Sequence, residues 1–228
     1  MNIIVTGASG NLGQAVVRQF LTAGWTVIGL VMPGDKTPMD IMDKKFVKVE
    51  VDLADEMHTS LALGRIIKKR GTIDVAVLTA GGFAMGDIEK THSRDILQQY
   101  KLNFETTYHA ARPIFLQMLT QKKGRIFMVG SRPGSNMTMS KGMTAYGLTK
   151  SLIFRLAELM NAEAKGTDVV TTVVVPSIID TPTNRKKMKG EDFSTWMDPK
   201  QMAEVIQFYT TPAADGLREP VLKMYNKA

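Results

Sequence analysis

The stretch Asn2–Gly13 reads NIIVTGASGNLG. Asn2–Thr6 is a β-branched apolar run, the composition of a buried strand. It stops at Gly7. Gly13, Val16, Val17, Phe20 and Leu21 then recur at the i, i+3, i+4, i+7 spacing of a helix face. Strand, glycine loop and helix therefore follow one another. Gly7, Gly10 and Gly13 permit a tight turn and let a ligand approach the backbone closely. The free N–H groups and positive dipole end of the helix suit a pyrophosphate. Thr6, Gly7, Ser9, Gly10, Asn11, Leu12 and Gly13 are thus candidate dinucleotide-binding residues. A glycine triplet alone is a weak signal, and a plain strand–helix turn is the competing reading; the strand-loop-helix context decides.

The same alternation continues along the chain. Gly24 ends the first helix, and Trp25–Val31 and Phe46–Val51 read as strands. Asp55–Arg70 is helical, with Leu63, Ile66 and Ile67 on one side. Ile73–Leu78 is a fourth strand, followed by the loop Ala80–Gly86. A long helical pattern covers Ser93–Gln121, with a bend expected at Pro113. Arg125–Val129 and Val169–Val175 are strands five and six, on either side of a helix over Thr144–Ala164. Leu148, Leu152, Leu156 and Leu159 form the apolar stripe of that helix. Pro199–Tyr209 is a short helix and Val221–Tyr225 a seventh strand. Near-continuous apolar strands alternating with helices predict an α/β fold: a doubly wound, mostly parallel sheet with helices on both faces. No linker or repeat divides residues 1–228, so one dinucleotide-binding domain is expected. The irregular stretch 177–198 is expected to cover a substrate.

Composition removes other classes. The chain has 228 residues, enough to bury roughly 70–75% of its unfolded surface without a disulfide or metal. It has no cysteine, which excludes thiolate chemistry and thiolate metal ligands. His58, His92 and His109 are scattered, so no metal site is expected. No apolar run approaches the ~20 residues of a membrane span, and the N-terminus lacks a basic leader. A cytoplasmic protein without a membrane partner is expected. The net charge of +7 is spread over Lys68–Arg70, Lys122–Lys123 and Arg185–Lys187. This is a solvated surface and not the dense stripe of a nucleic-acid binder, though it suits anionic small molecules. The sixteen methionines read as core filling.

Tyr146 and Lys150 lie four apart on one helix, on the same face. A cation beside a phenol favours the phenolate and is expected to lower its pKa toward the range of proton transfer. Ser131 follows the fifth strand. Gly7, Ala80, Gly81, Gly82, Ser131 and Pro176 all follow strands, and ligands of doubly wound sheets bind at that edge.

In this order and spacing, the glycine loop, Ser131, Tyr146–Lys150 and Pro176 resemble the short-chain dehydrogenase/reductase family over nearly the whole chain. The resemblance implies Tyr146 as proton donor, Ser131 as substrate-orienting hydroxyl and Lys150 as tyrosine activator and ribose ligand. It implies Asn103, in KLNFET, as support for a proton-relay water. Asp52 and Leu53 would lie near the adenine, and Ile179 and Thr181 near the nicotinamide carboxamide. Departures exist. The family's usual TGxxxGxG is TGxxGxxG here, with Asn11 in place of a glycine, and its NNAG is Leu78–Gly81. The segments TAGGFAMG and PSIIDTPTNRKKM…DFSTW resemble the quinonoid dihydropteridine reductase branch. Phe83, Asn184, Arg185, Phe193 and Trp196 would then meet a flat polar ring, or the two aromatics would pin their loop to the body.

The cofactor is read as NAD(P)(H). Val31 stands where NAD-using members carry an acid, and without a carboxylate to repel a 2′-phosphate the reading leans to NADP(H). The small-molecule substrate is a quinonoid dihydropteridine, or the chain is a carbonyl or 3-oxoacyl reductase. A non-catalytic dinucleotide-binding sensor is a third reading, which has no need of Tyr146, Lys150, Ser131 and Asn103 together. The resemblance further implies a homodimer or homotetramer.

Overall fold

A computed structural model of the chain describes residues 1–227; Ala228, the last residue of the expected domain, lies outside the described residues. The strands are β1 (Asn2–Thr6), β2 (Thr26–Val31), β3 (Phe46–Glu50), β4 (Val75–Leu78), β5 (Lys123–Val129), β6 (Asp168–Pro176) and β7 (Val221–Met224). The helices are α1 (Asn11–Thr22), α2 (Glu56–Arg70), α3 (Ser93–Tyr100), α4 (Thr106–Gln121), α5 (Arg132–Ser135), α6 (Thr144–Glu163), α7 (Pro182–Lys187) and α8 (Pro199–Phe208).

All seven strands join one parallel sheet in the order β3-β2-β1-β4-β5-β6-β7. Side chains alternate across its two faces. Ile4, Leu30, Leu78, Ile126 and Val175 meet Leu63, Ile114, Met118 and Ile153 of α2, α4 and α6. Ile3, Val5, Val77, Phe127 and Val174 meet Val16, Val17 and Phe20 of α1 and Ile206 of α8. Each fully buried side chain of this size contributes about 1.5–3 kcal/mol. Chain order reverses between β1 and β4, so the crevice beyond their carboxyl ends is the switch point where such sheets bind ligands.

The expected elements form, with two differences. The pattern Ser93–Gln121 is helical throughout and passes through Pro113, so the bend expected there is not the irregular point. A π turn at Lys101–Glu105 is. It inserts one surplus residue and swings Asn103 inward, as described below. The apolar face of α6 is also displaced from the leucine stripe. Ile153, Leu156, Ala157 and Met160 face the core at i, i+3, i+4, i+7, whereas Leu148 and Leu159 are exposed. Branched and small residues fit against the flat sheet, and the outward leucines are left to solvent or a partner.

Segment 177–198 is a closed excursion. Ile179 bridges Met197, and the Met197 N–H donates to the Ile178 carbonyl over 2.8 Å. The loop thus leaves and rejoins the body at one place. No helix among the described residues is long and apolar enough to cross a membrane.

Candidate active site

The two loops at the switch point are tied together. Thr79 Oγ1 donates to the Thr6 carbonyl over 2.7 Å, and the Ala80 N–H donates to Thr6 Oγ1 over 3.2 Å. Gly7 has φ +59°, and a Cβ there would lie 3.0 Å from the Ala80 nitrogen, so both conformation and space demand glycine. A Cβ on Gly13 would run into the Gly7 carbonyl. Helix α1 begins at Gly10 with no side-chain cap and no acid in its first turn. Its leading N–H groups are therefore left for an anion. This cradle fits a pyrophosphate.

On the other side of β4, two side chains converge on Gly81. A Cβ there would lie 2.7 Å from Asn103 Oδ1 and 3.5 Å from Lys150 Nζ. Asn103 is fully buried. Its Oδ1 accepts from the Gly82 N–H over 3.1 Å and its Nδ2 donates to Gln99 Oε1 over 3.0 Å. The π turn places this amide against the glycine loop after β4. Lys150 is also buried, and its Nζ donates to the Val129 carbonyl over 2.8 Å. Loss of water pulls the ammonium pKa down to about 8.

Ser131 caps α5, its Oγ accepting from the Gly134 N–H over 3.0 Å, and its hydroxyl neighbours the Tyr146 phenol. Burial pushes the Tyr146 phenol up, and the neighbouring Ser131 hydroxyl offsets only part of this. The spacing argument expects the opposite direction. It fails here because Lys150 turns its ammonium back to the end of β5, while both groups lose solvent. Burial disfavours both charged forms.

The Phe83 ring is half exposed and meets the Tyr146 ring edge-on, centroids 4.9 Å apart. Its loop is clamped to the start of α6: the Gly86 N–H donates to the Gly142 carbonyl and the Thr144 N–H to the Gly86 carbonyl, each over 2.8 Å. Beyond the clamp, a cleft of about 850 Å³ runs between Ala84–His92, α3 and α6, with Gln99 and Ala145 in its wall.

The remaining expected residues lie outside this cluster. Asp52 accepts from the Ala54 N–H and the Leu53 carbonyl meets His109 Nδ1, both over 2.9 Å, beyond β3. Thr181 caps α7, accepting from the Asn184 N–H over 3.1 Å. The Asn184 amide donates to the Ile179 carbonyl, and Arg185 pairs with Asp180 through two bonds of 2.5 and 2.6 Å. Trp196 is buried against Phe193, which Arg185 also covers. These five side chains hold their own loop together. Ser177, beside Pro176, has a buried Oγ with no hydrogen-bond partner among the described residues.

Sequence reasoning missed Thr79, Gln99 and Asp35. Gln99 precedes Asn103 by one helical turn, a spacing that signals a bonded amide pair. Asp35 lies in the turn MPGDKT after β2. Its Oδ2 accepts from Ser9 Oγ over 2.5 Å, and its Oδ1 accepts from the Thr37 N–H and Oγ1 over 2.9 and 2.6 Å.

The family model for short chain dehydrogenase matches residues 1–192. The chain belongs to that family. As a short-chain dehydrogenase it is an oxidoreductase, and the cluster of Ser131, Tyr146, Lys150 and Asn103 lies within the matched span. An acetoacetyl-CoA reductase of Acinetobacter sp. (strain RA3849) is 28% identical over 186 residues, covering 78% of this chain and 74% of the relative. A dihydropteridine reductase of Dictyostelium discoideum is 28% identical over 216 residues, covering 92% and 87%. The solved structure of ElxO with NADP bound superposes with a TM-score of 0.89 at 22% identity, covering 98% of this dehydrogenase and 96% of that chain. At that identity the likeness concerns the fold.

Proposed function

We propose that this dehydrogenase is a nicotinamide-dinucleotide-dependent reductase acting on a flat, electron-poor ring such as a quinonoid dihydropteridine. The observation that carries the reading is Tyr146 and Ser131, neighbours in the site, beside the Lys150–Gly81–Asn103 contact, at the edge that the glycine loop shares. The cradle of Gly7, Gly10 and the uncapped α1 takes the pyrophosphate. Bound reduced nicotinamide supplies the hydride. Tyr146 Oη holds a proton firmly at neutral pH, since burial raises its pKa, and gives it to the substrate atom that gains charge on reduction. Ser131 Oγ orients that atom. Lys150 contributes positive charge below about pH 8, held between the Val129 carbonyl and Gly81 where it faces the cofactor side of the site. Asn103 holds Gly82 and keeps the polar floor of the site in place. The Phe83 ring beside Tyr146 gives the substrate an aromatic wall, which favours a planar ring.

A carbonyl or 3-oxoacyl reductase is the second reading, supported by the acetoacetyl-CoA reductase relative and by the net charge of +7, which suits an anionic acyl carrier. The exposed leucines of α6, together with Leu116 of α4, support a homo-oligomer.

Oxidation of NADH and NADPH with quinonoid dihydropterin and with a panel of ketones and 3-oxoacyl thioesters tests this reading. Turnover with the pterin, reduced about 10²–10⁴-fold in Tyr146→Phe, is expected. Turnover confined to ketones or thioesters selects the second reading. Dinucleotide binding without turnover on any of them removes both.

A further inference from the structure

Arg132 follows Ser131 directly and opens α5. An arginine stays charged at any ordinary pH and carries five N–H donors. Among the described residues no ion pair holds this one. Its Nε is buried without a hydrogen-bond partner. The guanidinium is nevertheless fixed in place: its central carbon lies over the Tyr225 ring, 4.8 Å from the centroid. Stacking uses the face of a guanidinium and leaves the N–H groups along its edge for an acceptor.

A second unused group lies on the same face of the sheet. The Ser177 N–H donates to the Met224 carbonyl over 3.0 Å, continuing the ladder in which Pro176 pairs with Met224. The register therefore runs on to Ser177 opposite Tyr225, and residues opposite one another share a face. Tyr225 packs against the core on the α6 side. Ser177 Oγ is buried and, like Arg132 Nε, has no partner among the described residues. Buried polar groups are ordinarily satisfied, so two such donors at one sheet edge point to a shared acceptor. An anion fits both, since carboxylate and phosphate oxygens accept from a guanidinium and from a hydroxyl.

These groups border the reacting centre and the root of the long loop. Ser131 precedes Arg132, and Ser177 follows Pro176 at the end of β6. The loop 177–198 is tied down at the same place. Asn226, next to Tyr225, donates from its amide to the Ser194 and Trp196 carbonyls over 3.2 and 2.8 Å. The acid at the root of that loop, Asp180, is committed to Arg185 and does not neutralise Arg132.

We propose that Arg132, stacked on Tyr225, forms with Ser177 an anion subsite for the substrate: a carboxylate or phosphate is held there while Ser131 and Tyr146 hold the reducible end. Consecutive Cα atoms are about 3.8 Å apart, so the anionic group lies only a few bonds from the atom that takes hydride. A small oxo acid, or a flat ring with an acidic substituent, meets this requirement. A neutral ketone or an uncharged pterin does not. The inference rests on the reductase reading above and names the substrate class of that site.

Matched pairs that differ in the anion test it: acetoacetate with methyl acetoacetate, pterin-6-carboxylate with 6-hydroxymethylpterin, and dihydroxyacetone phosphate with dihydroxyacetone. Binding to the full chain is read by calorimetry, and reduction of the ketones by NADH and NADPH is read separately. At least one acid is expected to bind about tenfold or more tightly than its neutral partner. That advantage should fall as salt is raised. Arg132→Met should bring the ratio near one, and Arg132→Lys should keep part of it, with circular dichroism confirming the native fold. Ser177→Ala should lower the ratio about threefold and carries the same comparison if the methionine variant does not fold. For a pair that turns over, the loss in Arg132→Met should appear in KM for the acid and not in kcat. Equal binding within every pair by the wild type, or an unchanged ratio in the variants, overturns the proposal, and ketone or pterin turnover would then leave the reductase reading standing. Arg132-dependent acid binding with no turnover of any substrate overturns the reductase reading and, with it, the substrate role of the subsite.

Discussion

Lys150 donates from Nζ to the carbonyl oxygen of Val129 over 2.8 Å, tying the middle of the α6 active-site turn to the last residue of β5. The bond accounts for one of three ammonium protons. It leaves the charge largely without solvent, which is why the group releases its proton near pH 8.

A pH profile should report this. Tyr146 stays protonated well into the alkaline range, because burial holds its phenol above the ordinary value of 10.0. The falling limb of the reduction rate should therefore belong to Lys150. We expect kcat/KM for reduction to decline as pH rises through about 8. A rate that stays level to pH 10 would show that the ammonium charge has no part in the reaction.

The same burial predicts a cost to the fold. The unfolded lysine titrates near 10.5 and the folded one near 8, a difference worth roughly 3 kcal/mol. For a cation depressed in the folded state, the penalty is complete below pH 8 and is relieved between pH 8 and 10.5. Lys150→Met should accordingly raise stability at pH 7 by about 1–2 kcal/mol, after allowing for the lost Val129 bond. Thermal unfolding should shift upward by about 2–8 °C as activity disappears. A lower midpoint at pH 7 would contradict the argument.

Asn103→Ala should act in the other direction. It leaves the Gly82 N–H and the Gln99 amide without their partners in a fully buried place. The expected loss is about 2–4 kcal/mol, seen in denaturant titration. Asn103→Asp retains an acceptor for Gly82 and can accept from Gln99, so it should recover much of the stability. If both variants were equally destabilised, the bond to Gly82 would not be what holds this side chain.

Leu159 on α6 is 62% exposed and Leu116 on α4 is 49% exposed. If these faces meet a second copy, Leu116→Glu combined with Leu159→Glu should reduce the particle mass in light scattering to that of one chain. An unchanged oligomer, or a wild type that is already monomeric, would place these leucines in solvent.

The strands were legible because a parallel sheet buried on both faces requires near-continuous apolar runs, and Asn2–Thr6 or Val169–Val175 have no other use. The order Gly7, Ser131, Tyr146, Lys150 was legible for a related reason: each follows a strand end or shares a helix face, and both relations are local. What escaped was set by distant parts of the chain. The Tyr146 pKa direction depends on how completely β5 and the Gly81 loop exclude water, which spacing does not encode. The core face of α6 depends on the sheet it meets, so of the leucine stripe only Leu156 lies in the core, while Leu148 and Leu159 are exposed. Asp35 gave no signal, because its partner, Ser9, is 26 positions away. The π turn left no mark in the apolar pattern at all.

That turn makes the helix Ser93–Gln121 one residue too long for its own ladder. A straight α-helix advances by 100° per residue, so removing any single residue from 101–105 would rewind everything before it by that angle relative to α4. Either the amide of Asn103 would turn away from Gly82, or α3 would turn away from α6. The length of this segment is therefore under tighter constraint than its composition. Neighbouring side chains here can be exchanged, but the surplus residue must be kept.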